Sequence, residues 1–236
     1  MFRLQHLQNW PIFGFVLTLE NSTKNFTLCG FTVIEKVKDD VAEILGPSTE
    51  FLVEKRFTPD LLTMIGFVFN IGAAVLFGFA SPTSAPLLYM WAGLTVLVAG
   101  VFDFLDGQVA RKGKTESKFG ALLDSTVDRY SEIFIWFGIA ISFIRADDLW
   151  TSAAVFFALA GSLMVSYVRA RIEGLGAECK VGFMQRPERV IAIGAGGVIV
   201  PLIGDIGLIV VVWAIALLGN FTAMERVIHF RKLTKS

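Results

Sequence analysis

Four aspartates stand close together in an otherwise strongly apolar chain: Asp103 and Asp106, then Asp124 and Asp128, within DFLDGQVARKGKTESKFGALLDSTVD. Carboxylate oxygens at that density, with no His or Cys beside them, suit a hard divalent cation, Mg²⁺ or Mn²⁺, rather than zinc. Left without a cation, like charges this close force some of the carboxylates to protonate. Arg111 adds planar paired donors that fit a phosphate or pyrophosphate better than a lysine would. Gly107, Ala110 and Gly120 remove bulk, so that a large ligand or a second helix can approach the acids. These residue types describe a cation site beside a phosphate.

The elements that must position these groups are helices. Asp103 and Asp106 are three residues apart and Asp124 and Asp128 four apart, so on helices each pair projects from one face, about one turn apart. Two facing helices then present all four acids to one pocket. The surroundings are apolar: of 236 residues, 54% are hydrophobic and 18% charged. An ionisable group at membrane depth costs roughly 2.5–3.5 kcal/mol on insertion scales, which makes four together a functional feature rather than a structural one. Windows of about 20 apolar residues, enough to cross a bilayer, fall at 61–80, 87–110, 120–144, 150–171, 188–204 and 206–228. The expected fold is therefore all-α: a polytopic membrane protein with six transmembrane helices and a short N-terminal cytoplasmic extension. The last two windows are divided only at Gly204-Asp205.

Charge sets the orientation. Lysines and arginines crowd the segments before 57, around 111–118, 169–189 and 226–235, whereas 81–87, 145–149 and 204–206 are almost bare of them. The positive-inside rule puts both termini and the carboxylates on the cytoplasmic side. Formal net charge is zero, and short basic segments between apolar runs do not make the basic face that a nucleic-acid binder needs. Cys29 and Cys179 lack metal-ligand spacing and read as plain thiols. No removable signal peptide is expected at the N-terminus. Residues 39–55 repeat apolar positions at near-helical spacing, which fits either an amphipathic surface helix interrupted at Gly46-Pro47 or a cytoplasmic linker. The expected division is 1–56 as the extension and 57–236 as the membrane domain.

Taken as one pattern, D-x2-D-G-x2-A-R-x8-G-x3-D-x3-D is complete from Asp103 to Asp128. It resembles the signature of the CDP-alcohol phosphotransferases, integral membrane enzymes of phospholipid synthesis. The resemblance implies that Asp103, Asp106 and Asp124 hold one or two divalent cations, with Asp128 also near the metal and acting as general base. It further implies that Asp106, Gly107, Ala110 and Arg111 contact the CDP group, with Lys114, Thr115 or Ser117 as additional partners. The substrates would be CDP-diacylglycerol and an alcohol acceptor, the product CMP, and the chain would pair as a homodimer. The family commonly has a Pro-Asn pair before the first span; here it is Pro59-Asp60, with Asp60 expected to cap the helix.

The acceptor is read from SYVRARIEGLGAECKVGFMQRPERV, residues 166–190. Ser166 and Arg169 share a helix face, and Arg186 and Arg189 are one turn apart across Pro187, a residue suited to a helix start. A phosphorylated acceptor accounts for such arginines; so does a topology-setting charge or a tether to anionic headgroups. The run resembles the branch that makes phosphatidylinositol phosphate. That resemblance implies an acceptor phosphate site of Ser166, Arg169, Arg186, Arg189 and, near the C-terminus, Arg226. Glycerol phosphate would present the same phosphate, which keeps phosphatidylglycerophosphate synthesis as the alternative acceptor chemistry. A cation transporter would need acids spread through several spans, and here they cluster near one face.

Overall fold

The computed structural model describes residues 42–179 and 181–234; most of the expected extension, and Lys180, lie outside them. The described residues from Ser48 onward form one compact unit. In chain order the helices are α1 (Gly46–Glu54), α2 (Pro59–Phe79), α3 (Pro86–Gly113), α4 (Lys118–Arg145), α5 (Leu149–Glu173), α6 (Arg186–Ile203) and α7 (Ile206–Leu233). Among the described residues, β pairing is confined to an isolated bridge between Ser81 and Ala85.

Local chemistry fixes the ends of these helices. Pro59 and Pro86 stand in the first turns of α2 and α3, where the missing N–H costs nothing. Ser117 Oγ accepts from Gly120 N at 2.9 Å and starts α4. Gln185 and Glu188 form a capping box at the start of α6. Gly204, at a φ of 76°, separates α6 from α7, so the break falls where the Gly204-Asp205 pair suggested.

The long helices close a circuit of neighbours: α3 packs on α2, α2 on α4, α4 on α5, α5 on α7, α7 on α6, and α6 on α3. The α3–α6 seam depends on absent side chains. A Cβ on Gly93 would lie 2.4 Å from the Gly194 carbonyl oxygen, and one on Gly197 would lie 2.8 Å from that of Tyr89. The small residues of α6 thus serve close contact within the chain. Between the helices lies a core that includes Phe77, Tyr89, Trp136, Ile139, Phe143 and Ile215. Trp150, Phe156, Leu202 and Leu217 face outward.

Helices occupy all six apolar windows. Of these, α2, α3, α5 and α7 are long and apolar enough to cross a membrane. The other two carry many of the charges of the candidate site: Asp124, Asp128, Arg129 and Glu132 on α4, and Arg186, Glu188 and Arg189 on α6. Composition alone therefore does not qualify the two helices that carry these charges.

Candidate active site

The carboxylates converge from two helices that are joined by a four-residue turn, 114–117. Lys114 ends α3 in the left-handed conformation, with φ 52°, and Thr115 N donates to the Ala110 carbonyl at 3.0 Å. This reversal folds the turn back toward the acids. Asp103, Asp106 and Asp124 each offer one oxygen, and the three atoms lie within 4.8 Å of one another. Oxygens at about 2.1 Å from a six-coordinate Mg²⁺ are about 4 Å apart across the ion, so a small side-chain adjustment suffices to fit one. The donor set is all oxygen, as a hard cation requires.

Asp106 is buried and held. Thr63 of α2 donates its hydroxyl to Asp106 Oδ2 at 2.6 Å. Asp128, also buried, lies one turn further along α4 from Asp124. Arg186 at the start of α6 connects it to the others: Nη1 is 2.5 Å from Asp103 Oδ2 and Nη2 is 2.5 Å from Asp128 Oδ1. Arg129 stands at 3.6 Å from the second oxygen of Asp128. Three helices thus contribute charge to one cluster of four acids and two guanidinium groups.

Beside the cluster opens a cavity lined by Asp106, Gly107, Ala110, Arg111, Thr115, Ser117 and Asp124 together with Asp60, Thr63 and Gly120. Of the residues expected to meet a CDP group, Asp106, Gly107, Ala110, Arg111, Thr115 and Ser117 face this one space, and Lys114 does not line it. The Arg111 guanidinium lies over Gly107, with Nη1 3.3 Å from where a Cβ would be. Ser117 both caps α4 and lines the cavity. Asp60 is not the helix cap: Thr58 holds that position without a side-chain bond, and Asp60 sits in the first turn facing the cavity.

The five residues expected at an acceptor phosphate divide. Arg186 joins the carboxylates, as above. Arg189, 1% exposed, gives Nε at 2.9 Å and Nη2 at 2.5 Å to Glu132 Oε1, and Nη1 at 2.6 Å to the Met184 carbonyl. Arg226, 2% exposed, donates to the carbonyls of Val181 at 2.9 Å and Val165 at 2.5 Å. Arg169 is exposed and pairs with Glu173 at 2.8 Å on its own helix, while Ser166 reaches the Ser162 carbonyl at 3.4 Å. Arg169 and Arg189 both lie within electrostatic range of Arg226. The basic residues therefore gather, and each of the four arginines gives donors to the protein itself, Arg189 and Arg226 from fully buried positions.

Sequence reasoning did not single out two participants. Thr63 is an ordinary-looking hydroxyl one turn inside an apolar helix. Glu132 had a visible signal, since Asp124, Asp128 and Glu132 recur every four residues and so share one face of α4.

The chain matches the CDP-alcohol phosphatidyltransferase family over residues 56–220. It is 39% identical over 171 residues to an archaetidylinositol phosphate synthase of Methanothermobacter thermautotrophicus, covering 72% of this chain and 81% of that protein. It is 31% identical over 215 residues to a phosphatidylinositol phosphate synthase of Cutibacterium acnes, covering 86% of this chain and all of that one (100%). The crystal structure of the phosphatidylinositol phosphate synthase of Mycobacterium tuberculosis with CDP-DAG bound superposes with a TM-score of 0.69 at 29% identity, over 80% of this chain and 94% of that chain. A second structure of that enzyme, in complex with manganese and citrate, superposes with a TM-score of 0.68 at 29% identity, over 78% of this chain and 88% of that one. Family and apolar helices together make the protein an integral membrane enzyme. The chain belongs to the CDP-alcohol phosphatidyltransferase family.

Proposed function

We propose that the protein transfers a phosphatidyl group from CDP-diacylglycerol to a hydroxyl of inositol phosphate, releasing CMP. The observation that carries this reading is the adjoining of a three-carboxylate cation site to a cavity lined by Asp106, Gly107, Ala110, Arg111, Thr115 and Ser117. The acceptor choice is supported by the relatives' names, which differ in the lipid and agree in inositol phosphate.

In this reading Asp103, Asp106 and Asp124 hold Mg²⁺ or Mn²⁺, with Asp128 beside it. A divalent cation there supplies Lewis-acid stabilisation of the charge that develops on the pyrophosphate as CMP leaves. Arg111 gives its paired donors to the pyrophosphate, and bare backbone at Gly107 and Ala110 admits the nucleotide. Asp128 takes the proton from the acceptor hydroxyl, whose oxygen attacks the phosphorus bearing the diacylglycerol while the bond to CMP breaks. Arg186 lies against Asp128 and presents a cation to the acceptor phosphate, with Ser166 and Arg169 on the same side of the bundle. Arg189 and Arg226 form the wall behind them. Positioning and charge, rather than a covalent enzyme intermediate, do the chemistry.

The topology proposed with it has six spans, counting the charged α4 and α6. The active site and both termini are cytoplasmic, residues 1–56 form an extension, 57–236 form the membrane domain, and the chain pairs as a homodimer. Loop charge supports the sidedness. Interior placement of Asp128, Glu132 and Arg189 supports counting the two charged helices as spans.

The test is to supply membranes containing the protein with CDP-diacylglycerol and Mg²⁺ and, in separate reactions, inositol phosphate, glycerol phosphate, free inositol or serine. CMP release with inositol phosphate is expected. Turnover only with glycerol phosphate would move the assignment to phosphatidylglycerophosphate synthesis.

A further inference from the structure

Glu132 sits on α4 one turn beyond Asp128, 6% exposed and outside the cluster of four aspartates. A buried carboxylate paired with a buried guanidinium is a poor device for stability, because well-packed apolar residues of similar volume usually serve as well or better. Its geometry indicates another use. Arg189 brings Nε and Nη2 to Glu132 Oε1 and Nη1 to the Met184 carbonyl, so the guanidinium is fixed on one edge by α4 and on the other by the segment that leads into α6.

That segment is held from α7 as well. Thr222 Oγ1 donates to the Phe183 carbonyl at 2.8 Å and Arg226 Nε to that of Val181 at 2.9 Å. Its backbone adopts conformations that side chains rarely take: φ is 103° at Gly182 and 56° at Met184. Such strain persists only where the surroundings over-determine it. Two residues after Met184 comes Arg186, whose guanidinium spans Asp103 and Asp128. A continuous line of bonds therefore runs from Glu132 through Arg189 and Met184 to the residue that meets both the acids and the acceptor side. This line crosses between α4 and α6, which are not among the principal packing partners in the helix circuit.

We propose that Glu132 is a positioning residue for the acceptor half of the reaction: by holding Arg189 it sets the 181–185 segment and the start of α6, and so places Arg186. This rests on the proposed phosphorylated acceptor. The CDP cavity is built from α2, α3, α4 and the 114–117 turn, with no part of α6, so losing the link should spare the lipid substrate.

The test uses the purified full chain and CMP release, with KM measured separately for inositol phosphate and for CDP-diacylglycerol. Glu132→Gln should raise the acceptor KM about tenfold or more, the size of effect expected for a displaced binding group, while the KM for CDP-diacylglycerol stays near that of the unmutated chain. Arg189→Lys should do the same. The double variant should be no worse than the stronger single, since both break one link. Glu132→Leu with Arg189→Met, which removes both charges, should unfold near the unmutated temperature and still show the raised acceptor KM.

An unchanged acceptor KM in Glu132→Gln, an equal rise in both KM values, or effects that multiply in the Gln/Lys double would overturn the proposal. If Glu132→Gln does not fold, the Leu/Met pair decides, and an acceptor KM like that of the unmutated chain in that pair overturns it. Failure of the acceptor assignment is read separately, from the unmutated chain not turning over with inositol phosphate.

Discussion

Thr63 of α2 donates its hydroxyl to Asp106 of α3 at 2.6 Å, although the Pro59 carbonyl, at 3.1 Å, is also within reach. A threonine inside a helix ordinarily bonds back to the carbonyl four residues earlier. Its single proton here has the shorter path to the carboxylate, so α2 orients an oxygen donor of the cation site without entering it. Partners of this kind typically alter metal affinity by about 10–100-fold. Thr63→Val, nearly the same shape without the hydroxyl, should therefore weaken Mn²⁺ binding about tenfold, and Thr63→Ser should largely retain it. Titration of the Mn²⁺ electron paramagnetic resonance signal reads this without turnover. Unaltered affinity in Thr63→Val would remove Thr63 from the site.

The donor set predicts which cations serve. Asp103, Asp106 and Asp124 offer oxygen only, with neither imidazole nor thiolate in the group. A chelator should abolish CMP release, and Mg²⁺ or Mn²⁺ should restore it. Zn²⁺ at equal concentration should restore little, because it favours nitrogen and sulfur donors in a four-coordinate shell. Equal rescue by Zn²⁺ would mean that the acids do not define the coordination.

Much of the site was legible because its chemistry is local in sequence. Asp103 to Asp128 lie on two consecutive helices joined by a short turn, so helical spacing alone predicts which acids share a face, and the structure brings Asp103, Asp106 and Asp124 together. Helix positions followed from apolar windows and from the proline and glycine at their ends. The arginines were harder. Arg186, Arg189 and Arg226 are equally basic in sequence, yet one meets two aspartates, one a glutamate and a carbonyl, and one two carbonyls. Those assignments depend on how the 181–185 segment doubles back between α5 and α6, a three-dimensional relationship that charge and spacing do not encode. Asp60 shows the same limit: read as a cap, it faces the cavity, because the chain enters α2 through Thr58 and not two residues later.

In the proposed reaction Asp128, buried and one turn from Asp124, takes the acceptor proton. Asp128→Asn keeps the shape and removes the basicity. Turnover should fall by about 10²–10⁴-fold, the usual contribution of a general base, while CMP binding measured by calorimetry stays within about threefold, since the nucleotide cavity does not include Asp128. A parallel loss of nucleotide binding would assign Asp128 to substrate binding instead.

The helix circuit makes a prediction about stability that is independent of catalysis, and two helical glycines separate its causes. Gly93 of α3 touches α6 so closely that an added Cβ would lie 2.4 Å from the Gly194 carbonyl, which belongs to rigid helical backbone. Gly72 of α2 faces outward, and a Cβ added there would meet no atom within 4 Å. In Gly93→Ala the helices must separate, an overpacking cost of about 1–3 kcal/mol. In Gly72→Ala nothing moves, and the gain in helix propensity is up to about 1 kcal/mol. Thermal unfolding in detergent should therefore shift down for Gly93→Ala and hold or rise for Gly72→Ala. Since α3 carries Asp103 and Asp106 while α6 carries Arg186, a forced seam should also pull the guanidinium from the acids, so Gly93→Ala should lose activity below its unfolding temperature. Equal stability of the two variants would show that the α3–α6 seam is looser than the backbone contact implies.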